Sequence, residues 1–206
     1  LVPFRCLNGF GLTVDANNTE MVNLITAAKE QEHSTYNLTL QDDYSLKGDL
    51  SIKRTDYSAL NFRQDYHKFN SNEAYLEDFR KDKPGLLINE SVIDNIDSIY
   101  LSTEEHYKIT VNNQLNTIGD EIYILPLLYN QMKDNPFKME VREYPVDYGY
   151  AIEKVITSIY DIPENYEIAA VPLTIRYNLP GNAASYVYEV IRNGNKISIS
   201  STFSIN

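Results

Sequence analysis

Side chains that commonly carry enzyme chemistry are scarce in this sequence. Its 206 residues include one cysteine, three histidines and no tryptophan. A single cysteine excludes a disulfide within the chain, and no cysteine pair is available to complete a zinc set. His33, His67 and His106 also lack the i,i+4 spacing of metal ligands on one helix face. We therefore expect no metal and no cofactor.

Motifs of nucleotide binding and of nucleophilic hydrolysis are missing as well. The sequence contains no G-x-G-x-x-G, no phosphate loop and no G-x-S-x-G. Cys6 has no histidine near it in the sequence that could activate its thiol, so we interpret it as a buried structural cysteine. The sequence predicts that this chain is not an enzyme.

Positive charge is in deficit. Lysine and arginine total 18 against 29 aspartates and glutamates, which gives a formal net charge of -11. Such a chain would be repelled by nucleic acids and by anionic membranes. No run approaches the roughly 20 apolar residues that span a bilayer, so we expect no membrane span. The first seven residues lack an initiator methionine and a signal-peptide pattern, and we interpret the chain as a segment of a longer protein.

Acidic pairs are numerous, but the sequence does not gather them into one site. Asp42 with Asp43, Glu104 with Glu105, and one further pair at 120–121 fall at the ends of predicted strands or in turns. We interpret these pairs as solvated turn charges.

Alternation of apolar and polar residues predicts strands over most of the chain. Residues 35–40 and 46–52 are separated by a polar turn and predict an antiparallel hairpin. The last hairpin has the pair Asn193 and Gly194 at its predicted turn, with strands at 186–190 and 197–205. The other predicted strands lie at 86–93, 105–112, 122–125, 152–160, 167–171 and 173–179.

One region changes to a helical period. Between 56 and 69 the apolar residues Ala59, Phe62, Tyr66 and Phe69 are three or four positions apart, which predicts an amphipathic helix. A second helical piece is predicted at 73–80.

The order of these elements indicates a mainly β protein of the α+β class. We expect antiparallel, β-sandwich-like sheets with one helical segment around 56–80. We also expect a β-rich subdomain with the helix at 1–117 and a β-sandwich domain at 118–206. A continuous sheet across this boundary is the alternative, with 107–111 and 122–125 pairing as a hairpin.

Tyrosine is the abundant aromatic residue, at 17 against 7 phenylalanines. Most tyrosines alternate with polar residues in predicted strands, where core packing explains them. The segment 142–150 is different, because its tyrosines lie in a predicted loop. We expect this loop to be ordered, with Tyr144 or Tyr148 inserted under a sheet edge and Asp147 bonded to nearby backbone N–H groups. Together with Arg142, these residues are our candidates for an interdomain contact or a binding surface.

The same loop carries a family resemblance. The segments GDEIYILP at 119–126, NPF at 135–137 and REYPVDYGY at 142–150 resemble the C-terminal domain of unknown function of bacterial transglutaminase-like cell-envelope proteins. The later segments IPENY at 162–166 and NGNKI at 193–197 follow in the order of that domain. The segment RCLNG at 5–9 is similar to the piece that follows the papain-like core in those proteins.

The resemblance implies a non-catalytic accessory or structural region. In proteins of this kind a core with a cysteine, histidine and aspartate triad precedes the region that resembles our chain, and nothing in our chain matches the triad. The implied partner is the transglutaminase-like core domain of the same polypeptide, and the implied location is the periplasm or cell envelope. A peptide- or glycan-binding module of the envelope is the alternative, because tyrosine rings stack on such ligands.

Overall fold

The computed structural model describes residues 1–7, 9–131 and 147–206. Within these residues the chain forms twelve strands and two α-helices. The helices are α1 (Asp56–Tyr66) and α2 (Asn72–Arg80). The strands are β1 (Phe10–Val14), β2 (Thr19–Asn23), β3 (Glu30–Leu40), β4 (Leu46–Thr55), β5 (Leu86–Asp94), β6 (Thr103–Val111), β7 (Leu115–Ile118), β8 (Glu121–Ile124), β9 (Ile152–Asp161), β10 (Ile175–Asn178), β11 (Ala184–Asn193) and β12 (Lys196–Ile205).

Eight of these strands form one sheet, in the order β10-β11-β12-β9-β3-β4-β6-β5. Its neighbouring strands are antiparallel except for β3 and β9, which run parallel. The mainly β, α+β class is confirmed. The arrangement differs in detail from two facing antiparallel sheets, because the main sheet is mixed and helices help to cover its buried face. Alternation predicts that one face of a strand is buried, but not which element covers it.

The core follows from the register of the central strands. Tyr36 on β3 lies opposite Leu50 on β4, which in turn lies opposite Tyr107 on β6. Partners in a register share one face of the sheet, and all three of these side chains are buried. Tyrosines in predicted strands were expected to pack in the core, and the structure confirms this expectation for Tyr36 and Tyr107.

Both helices cover this face, as their apolar spacing predicts. Phe62 of α1 is 8% exposed, and the guanidinium of Arg54 on β4 lies 4.5 Å from its ring centre. Phe79 of α2 stacks on Tyr107, with 5.3 Å between ring centres. The hydroxyl of Ser71 accepts a bond from the Ala74 N–H, and this cap begins α2.

Several elements escaped the sequence analysis. The hairpin of β1 and β2 lies in a stretch that alternates too briefly to have been recognised. β7 was not predicted either, although its partner across Gly119, β8, corresponds to the predicted strand at 122–125. Residues 167–171 were predicted as a strand but form none. The two-residue loop of the last hairpin is Gly194 and Asn195 rather than Asn193 and Gly194, because Asn193 pairs with Lys196. Gly194 takes the positive φ of 60° that the first position of a type II′ turn requires.

The two predicted subdomains contribute to the same sheet. β3 from residues 1–117 pairs in parallel with β9 from residues 118–206. The alternative that we considered, a hairpin of 107–111 with 122–125, does not form, since β6 pairs with β4 and β5 while β8 pairs with β7. Whether the two parts fold independently stays a prediction.

Among the described residues, no helix combines the length and the apolar character that crossing a membrane would require.

Replacing Phe62 with alanine should lower the free energy of unfolding by about 3 to 5 kcal/mol, because the change leaves a cavity under α1. Phe10 is 63% exposed, so Phe10→Ala is the matched control and should cost less than about 0.5 kcal/mol. Urea denaturation of the three proteins measures both values. A loss below about 1 kcal/mol for Phe62→Ala would show that this face of α1 does not hold the core.

Candidate functional site

A cleft of about 290 Å³ opens on the buried face of the main sheet. Strands β3, β4 and β9 line it on one side, and the end of α2 and the short 3-10 helix Leu128–Asn130 complete it. Its polar and aromatic lining includes Glu32, Tyr36, Arg54, Phe79, Lys83 and Asn130.

A fully buried carboxylate lies next to this cleft. Glu105 on β6 is 0% exposed. One of its oxygens accepts from the Arg54 guanidinium, and the other accepts from the hydroxyls of Tyr75 and Tyr107. Burial of an unpaired carboxylate would cost several kcal/mol. Three donors from β4, α2 and β6 compensate this cost and join the three elements.

The two tyrosines act as donors over a wide pH range. Burial, together with the neighbouring Glu105 carboxylate, raises the pKa of Tyr75 and the pKa of Tyr107 above that of a free tyrosine. Both hydroxyls therefore keep their protons at neutral pH and donate to the carboxylate.

Arg54 connects the buried carboxylate to the cleft. Its Nε donates to Glu32 on β3 over 2.8 Å, and its side chain is 13% exposed. Although burial opposes its charge, Glu105 and Glu32 together raise the pKa of Arg54. The guanidinium is therefore held by two carboxylates and by the face of the Phe62 ring.

Lys83 is the second cation of the cleft. Its Nζ donates to the Phe79 carbonyl over 2.7 Å and lies 3.9 Å from the centre of the Phe79 ring. Burial lowers the pKa of Lys83. In the described parts of the chain, no carboxylate lies within 4 Å of this ammonium group.

The interpretation of Glu104 and Glu105 as a solvated pair was wrong for Glu105. The two residues lie inside β6, where consecutive side chains point to opposite faces. Glu104 faces outward and pairs with Lys53 over 2.7 Å, whereas Glu105 shares the buried face with Tyr107 and Ile109. The signal was present in the sequence, because Glu105 has the same parity as these two apolar residues.

Two of our four candidates from the tyrosine-bearing loop, Arg142 and Tyr144, fall outside the described residues. The other two, Asp147 and Tyr148, do not line the cleft. Asp147 is exposed, and its carboxylate accepts from the Gly149 N–H over 2.8 Å, the local turn contact expected of it. Tyr148 is half-buried.

Tyr150, which follows these candidates in the sequence, holds the end of this loop. Tyr150 stacks on Tyr57 of α1 with 4.2 Å between ring centres, and its hydroxyl donates to Glu30 over 3.2 Å. Phe4 packs edge-on against the same Tyr150 ring at 5.8 Å. From the sequence, Tyr150 was recognisable only as part of the loop, and its contacts with Tyr57 and Phe4 were not predicted.

The histidines occupy three separate exposed positions. His33 lies 3.5 Å from Glu153, His67 lies 3.6 Å from Asp97, and His106 lies near Asp94 and Glu104. Over residues 1–7, 9–131 and 147–206, no group of three histidine, cysteine, aspartate or glutamate side chains is placed to hold a metal ion.

In a comparison with known protein families, one family model matches part of the chain. Residues 120–206 match the family model described as "Domain of Unknown Function with solved-structure structure (DUF3858)". This match covers less than half of the chain, and it agrees with the resemblance at the level of a domain of unknown function. No curated protein and no solved structure matches the chain.

Replacing Glu105 with glutamine should lower the free energy of unfolding by about 3 kcal/mol or more, because the Arg54 charge would lose its buried partner. Glu104→Gln is the matched control on the neighbouring residue, and it should cost less than about 1 kcal/mol because the Glu104 side chain is 33% exposed. Chemical denaturation at pH 7 measures both changes. Equal losses in the two variants would contradict a special role for the buried carboxylate.

Proposed function

We propose that this chain is a non-catalytic accessory region of a transglutaminase-like cell-envelope protein, and that it docks on the core domain of the same polypeptide. The proposal combines the sequence resemblance with one structural observation, the apolar face of the hairpin formed by β1 and β2. The periplasm or cell envelope is the corresponding location.

The hairpin exposes four apolar side chains on one face. Phe10, Leu12 and Val14 alternate along β1 and are 63%, 58% and 72% exposed. Met21 on β2 lies opposite Leu12 and is 64% exposed, so it belongs to the same face. Among the strands that the structure describes, β1 and β2 pair with each other and not with the main sheet.

The weak intrinsic stability of a two-stranded hairpin suggests that another domain covers its apolar face. An isolated two-stranded hairpin is at best marginally stable in water, and a contiguous exposed apolar face is typical of an interaction surface. The core domain is the partner we favour, since residues 5–9, directly before β1, resemble the segment that follows the papain-like core. Docking would bury the four side chains and hold the hairpin in place.

The placement of Cys6 supports the non-catalytic part of the proposal. Cys6 is half-buried at the end of the short 3-10 helix Phe4–Cys6. A thiol nucleophile needs a positioned base. The three histidines of the chain instead lie beside carboxylates on β3, after α1 and on β6.

A peptide-binding role is the second candidate function. The cleft beside Arg54 and Lys83 favours it, because both cations lie against apolar walls. This role is compatible with docking, since the cleft and the hairpin use different residues.

Hydrogen exchange tests the docking proposal. Amides at 10–23 should exchange fast in the isolated chain and about tenfold or more slowly in a polypeptide that also carries the core domain. Leu12→Ser should restore fast exchange there. Ile99→Ser is the matched control and should not, because Ile99 is 70% exposed but lies between β5 and β6 rather than on the hairpin. Equal exchange at 10–23 with and without the core domain would refute docking through this face.

Activity measurements test the non-catalytic part. The isolated chain should show no amide hydrolysis and no acyl transfer from glutamine peptides, because its thiol lacks a base. Cys6→Ser should leave this background unchanged. Turnover by the wild-type chain that disappears in Cys6→Ser would make the chain an enzyme and overturn the proposal.

A further inference from the structure

The cleft holds a cation, Lys83, that forms no ion pair with any carboxylate of the described residues. Lys83 follows α2 and its ammonium group is partly withdrawn from water, with one bond to the Phe79 carbonyl and one contact with the Phe79 ring. A lysine ammonium has three N–H donors, so two remain for further partners. Within the described residues no carboxylate pairs with it.

Arg54 offers a further donor on the same lining. Its Nε and Nη1 are bonded to Glu32 and Glu105, but in the described part of the protein Nη2 has no hydrogen-bond partner. A guanidinium held rigidly by two carboxylates loses little conformational freedom when it binds a third group. With respect to residues 1–7, 9–131 and 147–206, Lys83 and Arg54 therefore present unused N–H donors on preorganised side chains.

The charge balance of the cleft differs from that of the whole chain. Arg54, Lys83 and Lys154 are three cations in its lining, and Glu32 is a carboxylate in the same lining. Two further carboxylates lie next to these cations, Glu105 beside Arg54 and Glu30 at 4.0 Å from Lys154. The cleft is therefore locally neutral in a chain whose formal net charge is -11, so an anion is repelled less here than on the rest of the surface.

The size and the walls limit the ligand further. A cleft of about 290 Å³ lies at the lower end of the volumes of ligand sites. Ile52, Ile156 and the ring of Phe79 supply apolar walls beside the two cations. This combination fits a carboxylate that carries an apolar group of a few carbon atoms.

We propose that the cleft binds the carboxylate of a small apolar carboxylic acid or of the last residue of a peptide, with Lys83 Nζ and Arg54 Nη2 as donors. The carboxylate would accept from both cations while its apolar group contacts Ile52 and Ile156. This site is independent of the docking hairpin, so one proposal can fail while the other holds.

Titration calorimetry with N-acetyl-leucine, leucinamide and the peptide acetyl-Ala-Ala-Leu tests the site and separates its two sources. N-acetyl-leucine should bind saturably, and leucinamide, which lacks the carboxylate, should not. A peptide that binds more tightly than N-acetyl-leucine identifies a peptide terminus as the ligand, and a peptide that fails to bind identifies a small acid.

Lys83→Gln should weaken binding of these carboxylates by about tenfold or more, because a charge-assisted bond is lost. Lys81→Gln is the matched control, since Lys81 is exposed two residues away, and it should bind as the wild type does. Lys83→Arg keeps the charge and should retain most of the affinity, and thermal unfolding of each variant verifies that it is folded.

If Lys83→Gln does not fold, chemical-shift mapping on the wild-type protein tests the same binding site. N-acetyl-leucine should then shift the amides of Phe79, Lys83 and Ile156 in a saturable manner. No saturable binding of any carboxylate, shifts confined to other parts of the protein, or a folded Lys83→Gln variant with unchanged affinity would each overturn the proposal.

Discussion

The parallel pairing of β3 with β9 is the constraint on which the rest of the structure depends. It joins strands from both halves of the chain in one sheet, because β9 continues into β12, β11 and β10 while β3 continues into β4, β6 and β5. The register sets Lys154 beside Glu32 and sets Glu32 beside Arg54. The charged row along one wall of the cleft is a direct consequence of this register. A shift of one residue in the pairing would turn these side chains to the opposite face.

Buried charge then fixes how the helices lie on that sheet. Glu105 needs donors because it has no access to water, and Tyr75 supplies one of them from α2. Arg54 is held from the other side by the ring of Phe62 on α1. One carboxylate on β6 therefore sets the positions of side chains from both helices. The same contacts hold Arg54 rigid, which is what a binding site requires of its donors.

Two surfaces with different physical characters result. The face of β1 and β2 is apolar, exposed and outside the main sheet, so it favours a large and apolar partner. The cleft is small and carries cations beside apolar walls, so it favours a small anion. Of the four residues that we selected from the sequence, Asp147 and Tyr148 do not line the cleft, and Arg142 and Tyr144 fall outside the described residues. Their neighbour Tyr150 instead ties the end of the loop to α1.

The sequence by itself determined the class of the protein and the approximate positions of most strands and of both helices, because these depend on the local period of apolar residues. The sequence also shows that Glu105 alternates in step with Tyr107 and Ile109, which places it on the buried face of its strand. We missed this because Glu104 and Glu105 together resemble a solvated acidic pair. The tertiary structure alone decided the parallel pairing of β3 with β9, the cover over the main sheet and the meeting of Arg54 with Glu105. Those features join residues far apart in the chain, and local alternation contains no information on which distant strand or side chain becomes the partner.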